Sequence, residues 1–387
     1  MKDVDLYKRQ LLKTLALTSV TLPAFTAGVF HAHKLQSTHQ NTHHEYWLSA
    51  QGKIADNYGL GAITADKQQA VNIPSGFRGH GICQHPTQPE KAIMMSRRPG
   101  LIGLEVNIAS GETREFNSPE QHHMHGHATY SHDGQYIFTS ESDYQLGEGK
   151  IVVRDSNSLE VVSIFPSYGI GPHELKMMPG SDILVVANGG LLTHPDSGRK
   201  VLNLETMDSS LTYIDSRNGQ LISQHRVAEK KASIRHFDIA DDGSVAFGMQ
   251  VQRQAMADNH LVPLAGVHKA GAEVQLLQAP ETLTVALNDY MGSVVIASAQ
   301  RLAAFTSPRG DLAMFWNLDD GSLQGYHRFH DVCGLTLNQQ KTHFVLSNSA
   351  GKIRQIETNT LQENPSLRLD FPMMAWDNHM LAINLAG

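Results

Sequence analysis

Histidine is the residue type whose number and spacing in this sequence most clearly suggest chemistry. The chain has 22 histidines among its 387 residues. Six of them stand at the start of a short stretch with the pattern of a β-strand: His80, His127, His173, His236, His330 and His379. Neutral imidazole is a common protein ligand for transition metals, with nitrogen–metal distances of about 2.0–2.1 Å. If the fold brings several of these histidines together, the sequence predicts a metal site.

Charged residues beside the six histidines extend the candidate site. Glu174, Asp331 and Asp377 each lie within two residues of a histidine, and carboxylates can orient an imidazole or complete a coordination sphere. Arg78 and Arg235 each shortly precede a histidine. Their guanidinium groups suit an anionic ligand such as a carboxylate or a haem propionate. Because imidazole suits iron and copper, either metal is the expected cofactor.

The spacing of the histidines predicts the architecture that positions them. The intervals between successive members of the six are 47, 46, 63, 94 and 49 residues. The longest interval contains Tyr290-Met291-Gly292, where a unit begins without its histidine. A period of about fifty residues is typical of a β-propeller with one blade per repeat. We therefore predict an all-β propeller of the YVTN or quinoprotein type.

The unit that begins at His127 shows the order of strands and turns expected in one blade. An inner strand is followed by a tight turn at Asp133-Gly134 and by three further strand-like stretches, which end near Phe165. Asp-Gly between apolar stretches is a strong hairpin signal because glycine accepts a positive φ. The same pattern recurs along the chain.

The two ends of the chain indicate how the ring closes. One strand-like stretch, 380–385, follows the last complete blade, and three stretches precede the first inner strand. These three N-terminal strands and one C-terminal strand make one composite blade. We expect seven blades in total, with six or eight as the alternatives.

Two long loops and one short loop are expected on the channel face where the inner strands begin. The long loops join second and third strands at 188–210 and 250–263, and the first contains His194 and Arg199. A short loop carries Arg97 and Arg98. Long loops on one face of a rigid scaffold usually build a binding site. His194, Arg199 and Arg98 are therefore candidate ligand-binding residues, together with Arg78, Arg235 and Glu174.

The role of the histidines is open on the sequence alone. Neighbouring blades can converge and opposite ones are not expected to, so a single ion would use a subset such as His80, His127 and His379. The alternatives are a water-linked lining of the channel and a role within each blade, as for the structural Gly-His of WD-repeat propellers.

The N-terminal residues have the pattern of an export signal. A basic segment, Lys8-Arg9-Gln10-Leu11-Leu12-Lys13, precedes an apolar run from Leu15 to Phe30. The segment resembles a twin-arginine signal whose first arginine is lysine, with ordinary secretion or an uncleaved anchor as alternatives. A run of about sixteen residues is short for a stable membrane span. We expect an export signal over 1–30, a histidine-rich linker over 31–44, and a periplasmic propeller over 45–387.

Composition and absent motifs narrow the class of function. A net charge of −7 without a long basic run argues against nucleic acid as a partner. The sequence has no Gly-x-Ser-x-Gly, no His-Glu-x-x-His and no phosphate-binding glycine loop, so hydrolase, zinc-protease and nucleotide-binding functions lack support. The absence of Cys-x-x-Cys-His excludes covalent c-type haem. The two cysteines, Cys83 and Cys333, are expected to be free thiols.

Several separated motifs occur in an order that resembles a known family. They are Arg-Gly-His-Gly at 78–81, Arg-Arg-Pro-Gly at 97–100, Gly-Pro-His-Glu-Leu at 171–175, Ala-Asn-Gly-Gly at 187–190, Thr-His-Pro-Asp-Ser-Gly-Arg at 193–199 and Ser-Leu-Thr-Tyr-Ile-Asp at 210–215. From about residue 45 onward the chain resembles the domain-of-unknown-function family 1513. The resemblance implies an exported bacterial propeller, often encoded beside imelysin-type iron-uptake proteins, so an imelysin-type protein is the expected partner. It implies no established reaction and no catalytic residues.

Three functions fit these observations. The first is a periplasmic propeller that binds a transition metal or a small metal complex at a His- and Arg-lined channel mouth, as an accessory to iron or copper uptake. The second is a periplasmic oxidoreductase of the quinoprotein type that uses the same site. The third is a non-catalytic docking scaffold whose loops hold a protein partner.

Overall fold

A computed structural model describes residues 43–54, 57–66 and 70–386. Within these residues, 28 strands form seven four-stranded antiparallel sheets. The prediction of a seven-bladed all-β propeller is therefore confirmed. The predicted export signal and residues 31–42 of the predicted linker lie outside the described residues. Among the described residues, no helix has the length and apolarity needed to cross a bilayer.

Six blades are each formed by four consecutive strands. Blade 1 is β4 (Gly79–Gln84), β5 (Lys91–Ser96), β6 (Ile102–Asn107) and β7 (Thr113–Asn117), and blade 2 is β8 (His122–Tyr130), β9 (Tyr136–Asp143), β10 (Glu148–Asp155) and β11 (Val161–Pro166). Blade 3 is β12 (Pro172–Met177), β13 (Ile183–Asn188), β14 (Ser210–Asp215) and β15 (Leu221–His225), and blade 4 is β16 (Ala232–Ile239), β17 (Val245–Val251), β18 (Ala265–His268) and β19 (Gln275–Leu277).

The last two continuous blades follow a short helix, α1 (Glu281–Ala286). Blade 5 is β20 (Val294–Ala297), β21 (Leu302–Ser307), β22 (Leu312–Asn317) and β23 (Leu323–Arg328), and blade 6 is β24 (Val332–Leu337), β25 (His343–Asn348), β26 (Lys352–Glu357) and β27 (Leu369–Asp370). One-turn 3₁₀ helices lie at Pro195–Ser197, Leu204–Thr206, Arg253–Ala255, Ser298–Gln300, Pro308–Gly310 and Pro365–Leu367.

The seventh blade joins the two ends of the chain. Its order is β28 (Leu381–Ala386), β1 (His43–Ile54), β2 (Asn57–Thr64) and β3 (Ala70–Pro74). β28 pairs antiparallel with β1, with Tyr46 opposite Ile383. The predicted composite blade is thus confirmed. Because ladder hydrogen bonds join β28 to β1, one blade holds both ends of the chain and the ring is closed.

Tight glycine turns and apolar faces between blades explain why these sequences form blades. The β8–β9 hairpin turns at Gly134, which has φ +74°, and a Cβ at this position would lie 2.3 Å from the His85 ring. The hydrophobic core lies between successive blades. In its largest cluster the Phe305 and Trp316 rings pack edge to face at 5.2 Å, with both side chains almost fully buried.

The inner strands carry β-bulges near the channel face where they begin. The pairing register shifts in β4 between Gly79 and Ile82, in β8 between Met124 and Ala128, in β12 between Pro172 and Leu175, in β16 between Ile234 and His236, and in β24 between Val332 and Leu335. A bulge places an extra residue in one strand and redirects its side chains. In the first four strands a predicted histidine lies within the shift or at its end.

The loops between second and third strands emerge on the face where the inner strands begin, because the strands alternate in direction. We call this the loop face. It carries the long connections 189–209 and 252–264 and the short loop with Arg97 and Arg98.

Candidate metal centre

Five of the six predicted histidines converge inside the central channel. They are His80, His127, His173, His236 and His379, and we call them the five-histidine cluster. All members except His173 offer ring nitrogens that lie within 4.8 Å of one another. Nε2 of His173 lies 3.4 Å from Nε2 of His80 and 3.3 Å from Nε2 of His236. The four members on blades 1 to 4 are buried, and His379 is half-buried.

Opposite blades contribute to the same cluster. The ring centroids of His80 in blade 1 and His236 in blade 4 are 5.8 Å apart. The expectation that only neighbouring blades converge is therefore wrong. The physical reason is local, since the bulges of the inner strands turn the histidines into a narrow part of the channel.

Two glycines allow the inner strands of blades 1 and 2 to approach each other. Gly126 has φ +107°, and a Cβ there would lie 2.6 Å from Cδ2 of His80. A Cβ on Gly81 would lie 2.6 Å from Nδ1 of His127. Any larger residue at either position would push a histidine out of the cluster.

The tautomer of His379 follows from its hydrogen bonds. The Ser293 hydroxyl donates to the Asn378 carbonyl at 2.8 Å, so it accepts from Nδ1–H of His379 at 2.9 Å. This leaves the lone pair on Nε2 of His379, which is buried and has no hydrogen-bond partner. A histidine held in this way is suited to bind a metal ion through Nε2.

Glu174 supports two members of the cluster from the side away from the loop face. Its carboxylate lies 3.3 Å from Nδ1 of His236 and 3.9 Å from Nδ1 of His127. It also accepts a hydrogen bond from the Phe237 backbone N–H and pairs with Lys176 at 3.4 Å. Burial opposes ionisation of Glu174, but attraction to Lys176 and the interactions with His127 and His236 outweigh it and hold the pKa well below the usual range. A carboxylate that orients an imidazole is a common feature of metal sites.

The cluster is uncharged at neutral pH. Burial lowers the pKa of each of its five histidines, and at all of them except His236 repulsion from other histidines of the cluster contributes to the shift. At His127 the pKa falls to about 3. Neutral imidazole is the form that binds metal ions, so the cluster needs no deprotonation before binding.

A second group of side chains, four arginines, lies on the loop-face side of the cluster. Arg97, Arg98, Arg199 and Arg235 line a pocket that also includes His80, His173 and His236. We call it the four-arginine pocket, and its cavity volume is about 20 Å³. The structure therefore brings together Arg98, Arg199 and Arg235 of the predicted ligand-binding residues. Arg97, which adjoins Arg98 in the same loop, belongs with them.

The other predicted ligand-binding residues lie elsewhere. Arg78 pairs with buried Asp377 at 2.6 Å, and Arg97 pairs with the same carboxylate at 3.3 Å. His194 stacks edge-on against Tyr144 at 4.8 Å and accepts a hydrogen bond from the Asp196 backbone N–H. Neither Arg78 nor His194 lines the four-arginine pocket.

His330 lies outside the cluster. Its side chain is 83% exposed and lies 3.1 Å from Asp311. His330 precedes β24, at the crossing from blade 5, and therefore lies before the bulge rather than within it. Asp331, the carboxylate expected to assist it, hydrogen-bonds Ser349 on the same side of the blade.

In blade 6 a cysteine takes the channel position. The register shift in β24 matches that in β12, so Cys333 occupies the place that His173 occupies in blade 3. Burial raises the pKa of the Cys333 thiol. Both Cys83 and Cys333 are free, as expected.

The sequence pattern did not identify two residues of the site, Ser293 and His125. Ser293 lies in the unit that begins without its histidine, and aligning that unit with the others would have placed it at the channel. His125 has a weaker signal, because only the wide bulge in β8 brings it to the four-arginine pocket.

A funnel opens on the side opposite the loop face. Its cavity volume is about 600 Å³, and it is lined by the later residues of the inner strands. His127 and His379 reach it, together with Glu174, Lys176 and Asp238. The five-histidine cluster thus separates a wide funnel from the small four-arginine pocket.

The fold and site define a seven-bladed propeller with a histidine-lined channel. Residues 73–383 match the family described as "Protein of unknown function (DUF1513)", and the chain belongs to this family. No curated protein matches the chain. Among solved structures, the hydrazine synthase of Kuenenia stuttgartiensis is similar, with a TM-score of 0.62 and 14% identity over 78% of this chain and 90% of that chain. At this identity the likeness shows the fold alone.

Proposed function

We propose that this chain binds one first-row transition-metal ion through the five-histidine cluster, as an exported accessory to iron or copper uptake. One observation carries the proposal. Nε2 of His127 and Nε2 of His379 are buried without a hydrogen-bond partner, in a group of imidazoles that converge on one point. Buried polar atoms are nearly always satisfied, so an orphaned pair in a ligand-rich site points to an ion.

The spacing of the nitrogens is compatible with ligands that share one metal ion. Two ligands at 2.0–2.1 Å from a tetrahedral metal are about 3.3–3.4 Å apart. The Nε2 atom of His173 lies 3.4 Å and 3.3 Å from its two neighbours. His80, His127, His236 and His379 each offer a nitrogen within 4.8 Å of the others, so these four could supply ligands to one ion.

The biological setting rests on other grounds. The signal-like pattern of residues 1–30 supports export to the periplasm. The implied association of the family with imelysin-type proteins supports a role in iron uptake, with such a protein as the partner.

The test is elemental analysis of untagged, exported protein with a matched pair of variants. Wild-type protein and a His330→Ala control should retain stoichiometric iron or copper, because His330 is exposed and outside the cluster. A His80→Ala/His127→Ala variant should lose the metal. Metal-free wild-type protein that also fails to take up added ions would contradict the proposal.

An oxidoreductase is the second candidate, and the funnel favours it. A cavity of about 600 Å³ that reaches His127 and His379 gives a substrate room beside the metal, and the Lys176–Glu174 ion pair lies on its wall. A reversible redox change of the bound metal in an absorption titration, accompanied by turnover of an added electron donor, would support it. A bound metal that is redox-inert in the same titration would favour simple metal binding.

A further inference from the structure

Two buried guanidinium groups lack the counter-charge that such groups need. Arg98 is 8% exposed and Arg235 is 5% exposed. Nε and Nη1 of both arginines are buried without a hydrogen-bond partner. Among the residues that the structure describes, no carboxylate lies within ion-pair distance of either side chain. A buried charge without a partner is strongly unfavourable, so a bound anion would stabilise these two arginines.

Neighbouring arginines add to the uncompensated positive charge of the pocket. Arg97 and Arg199 line the same pocket, and Asp377, which pairs with Arg97, is shared with Arg78. Burial, followed by repulsion from Arg199 and Arg97, lowers the pKa of Arg98 to about 10. Arg98 still carries its charge at neutral pH. Nearby histidines offer no compensation, because an imidazole is either neutral or positively charged; the lowered pKa values of His125, His80 and His173 mean that these side chains add no further positive charge.

From this arrangement we propose that the four-arginine pocket binds a small oxyanion, of the carbonate or short carboxylate class. Guanidinium groups bind such anions through paired N–H donors, and Arg98 and Arg235 have such donors free. The cavity is only about 20 Å³, so the anion must be small.

The anion lies next to the metal site and is its co-ligand. His80, His173 and His236 line the four-arginine pocket and also belong to the five-histidine cluster. An oxygen of the anion can therefore reach the metal from the loop face while the arginines hold its other oxygens. This coupling rests on the proposed metal function, whereas the anion site itself does not.

The anion site is tested on metal-free, full-length protein, so that failure of the metal proposal leaves the test intact. Bicarbonate represents a free inorganic anion and oxalate a carboxylate chelator that would arrive with the metal. Titration calorimetry should show saturable binding of at least one of them. Chloride at the same ionic strength should show none.

Two variants and one control locate the binding. Arg98→Met and Arg235→Met should each weaken binding at least about tenfold, the usual effect of losing a charged hydrogen bond. Arg217→Met removes an exposed arginine that pairs with Asp215, and it should leave the affinity unchanged. Equal affinity in all variants, or no saturable binding of either anion to the wild type at millimolar concentration, would overturn the proposal.

A second measurement covers variants that fail to fold. The wild-type protein should unfold at a higher temperature in bicarbonate or oxalate than in chloride, because a ligand of the native state stabilises it. The same midpoint in all three salts would overturn the anion site. Repeating the titration with metal-loaded protein tests the coupling: tighter anion binding supports the co-ligand role, and unchanged binding refutes it while leaving the anion site in place.

Discussion

Nδ1 of His379 lies 2.9 Å from the hydroxyl of Ser293, and that hydroxyl donates its own proton to the Asn378 carbonyl. The two residues belong to different blades, since Ser293 precedes β20 and His379 precedes β28. Blade 5 therefore contributes to the site a hydroxyl that orients an imidazole, instead of an imidazole of its own. The relationship gives a direct test of how the cluster is organised.

Replacing Ser293 with alanine should weaken metal binding by about 10–100-fold, because supporting hydrogen bonds contribute that much to metal affinity. The measurement is competition against a chromophoric chelator. Ser131→Ala, which removes a hydroxyl from an exposed turn, is the control and should bind metal as the wild type does. Identical affinities for the two variants would show that Ser293 has no part in positioning His379.

Glu174→Gln should also lower metal affinity, by a similar factor, because the negative charge 3.3 Å from Nδ1 of His236 is lost and a neutral amide supports a metal-bound imidazole less strongly. Lys176 keeps an ionic partner in this variant, since Asp238 lies 3.0 Å away. Glu105→Gln is a suitable control, because Glu105 is a buried carboxylate that pairs with Arg114 away from the channel. The metal affinities of both variants are measured by chelator competition. An equal loss of affinity in the Glu105→Gln control would argue against a specific role of Glu174.

The metal-free protein should become less stable as the pH falls below about 6.5, the ordinary pKa of histidine in an unfolded chain. Burial holds the pKa of the cluster histidines lower, at His127 about 3, so between these values the unfolded state binds more protons than the folded state. The free energy of unfolding should then fall by up to about 1.4 kcal/mol per pH unit for each histidine. Above about 6.5 neither state is protonated and the effect vanishes.

Urea unfolding at a series of pH values measures this dependence. His127→Gln should show a shallower slope in the acid range than the wild type. Bound metal should protect the protein against acid, since protons and metal compete for the same nitrogens. A free energy of unfolding that stays constant between about pH 6.5 and about pH 4 would contradict the assignment of neutral, buried imidazoles.

Closure of the ring should depend on the packing of β28 against β1. Ile383 in β28 is fully buried opposite Tyr46, so Ile383→Ala should cost about 2–5 kcal/mol in the free energy of unfolding. Val161→Ala, at a position that is 39% exposed in β11, should cost far less. Chemical denaturation of both variants provides the comparison. Equal losses in the free energy of unfolding would mean that the contact between β28 and β1 contributes no more to stability than an exposed position does.

The sequence by itself determined the architecture. The recurring unit, its period and its Asp-Gly turns are local features, and a blade is built from strands that are adjacent in the chain. The composite blade was also predictable, because three strands at the N-terminus and one at the C-terminus had no other partners. Five of the six histidines were identified in this way as channel residues, since each inner strand begins at the same face.

Only the tertiary structure decided which side chains meet. Cys333 and His330 are three residues apart, yet the bulge in β24 places the cysteine at the channel and leaves the histidine exposed. Likewise Arg98, Arg199 and Arg235 come from three different blades or loops, and their shared lack of counter-charge appears only when the ring is closed. Bulge position and the charge balance of a closed channel depend on contacts between distant segments, which a local sequence pattern does not encode.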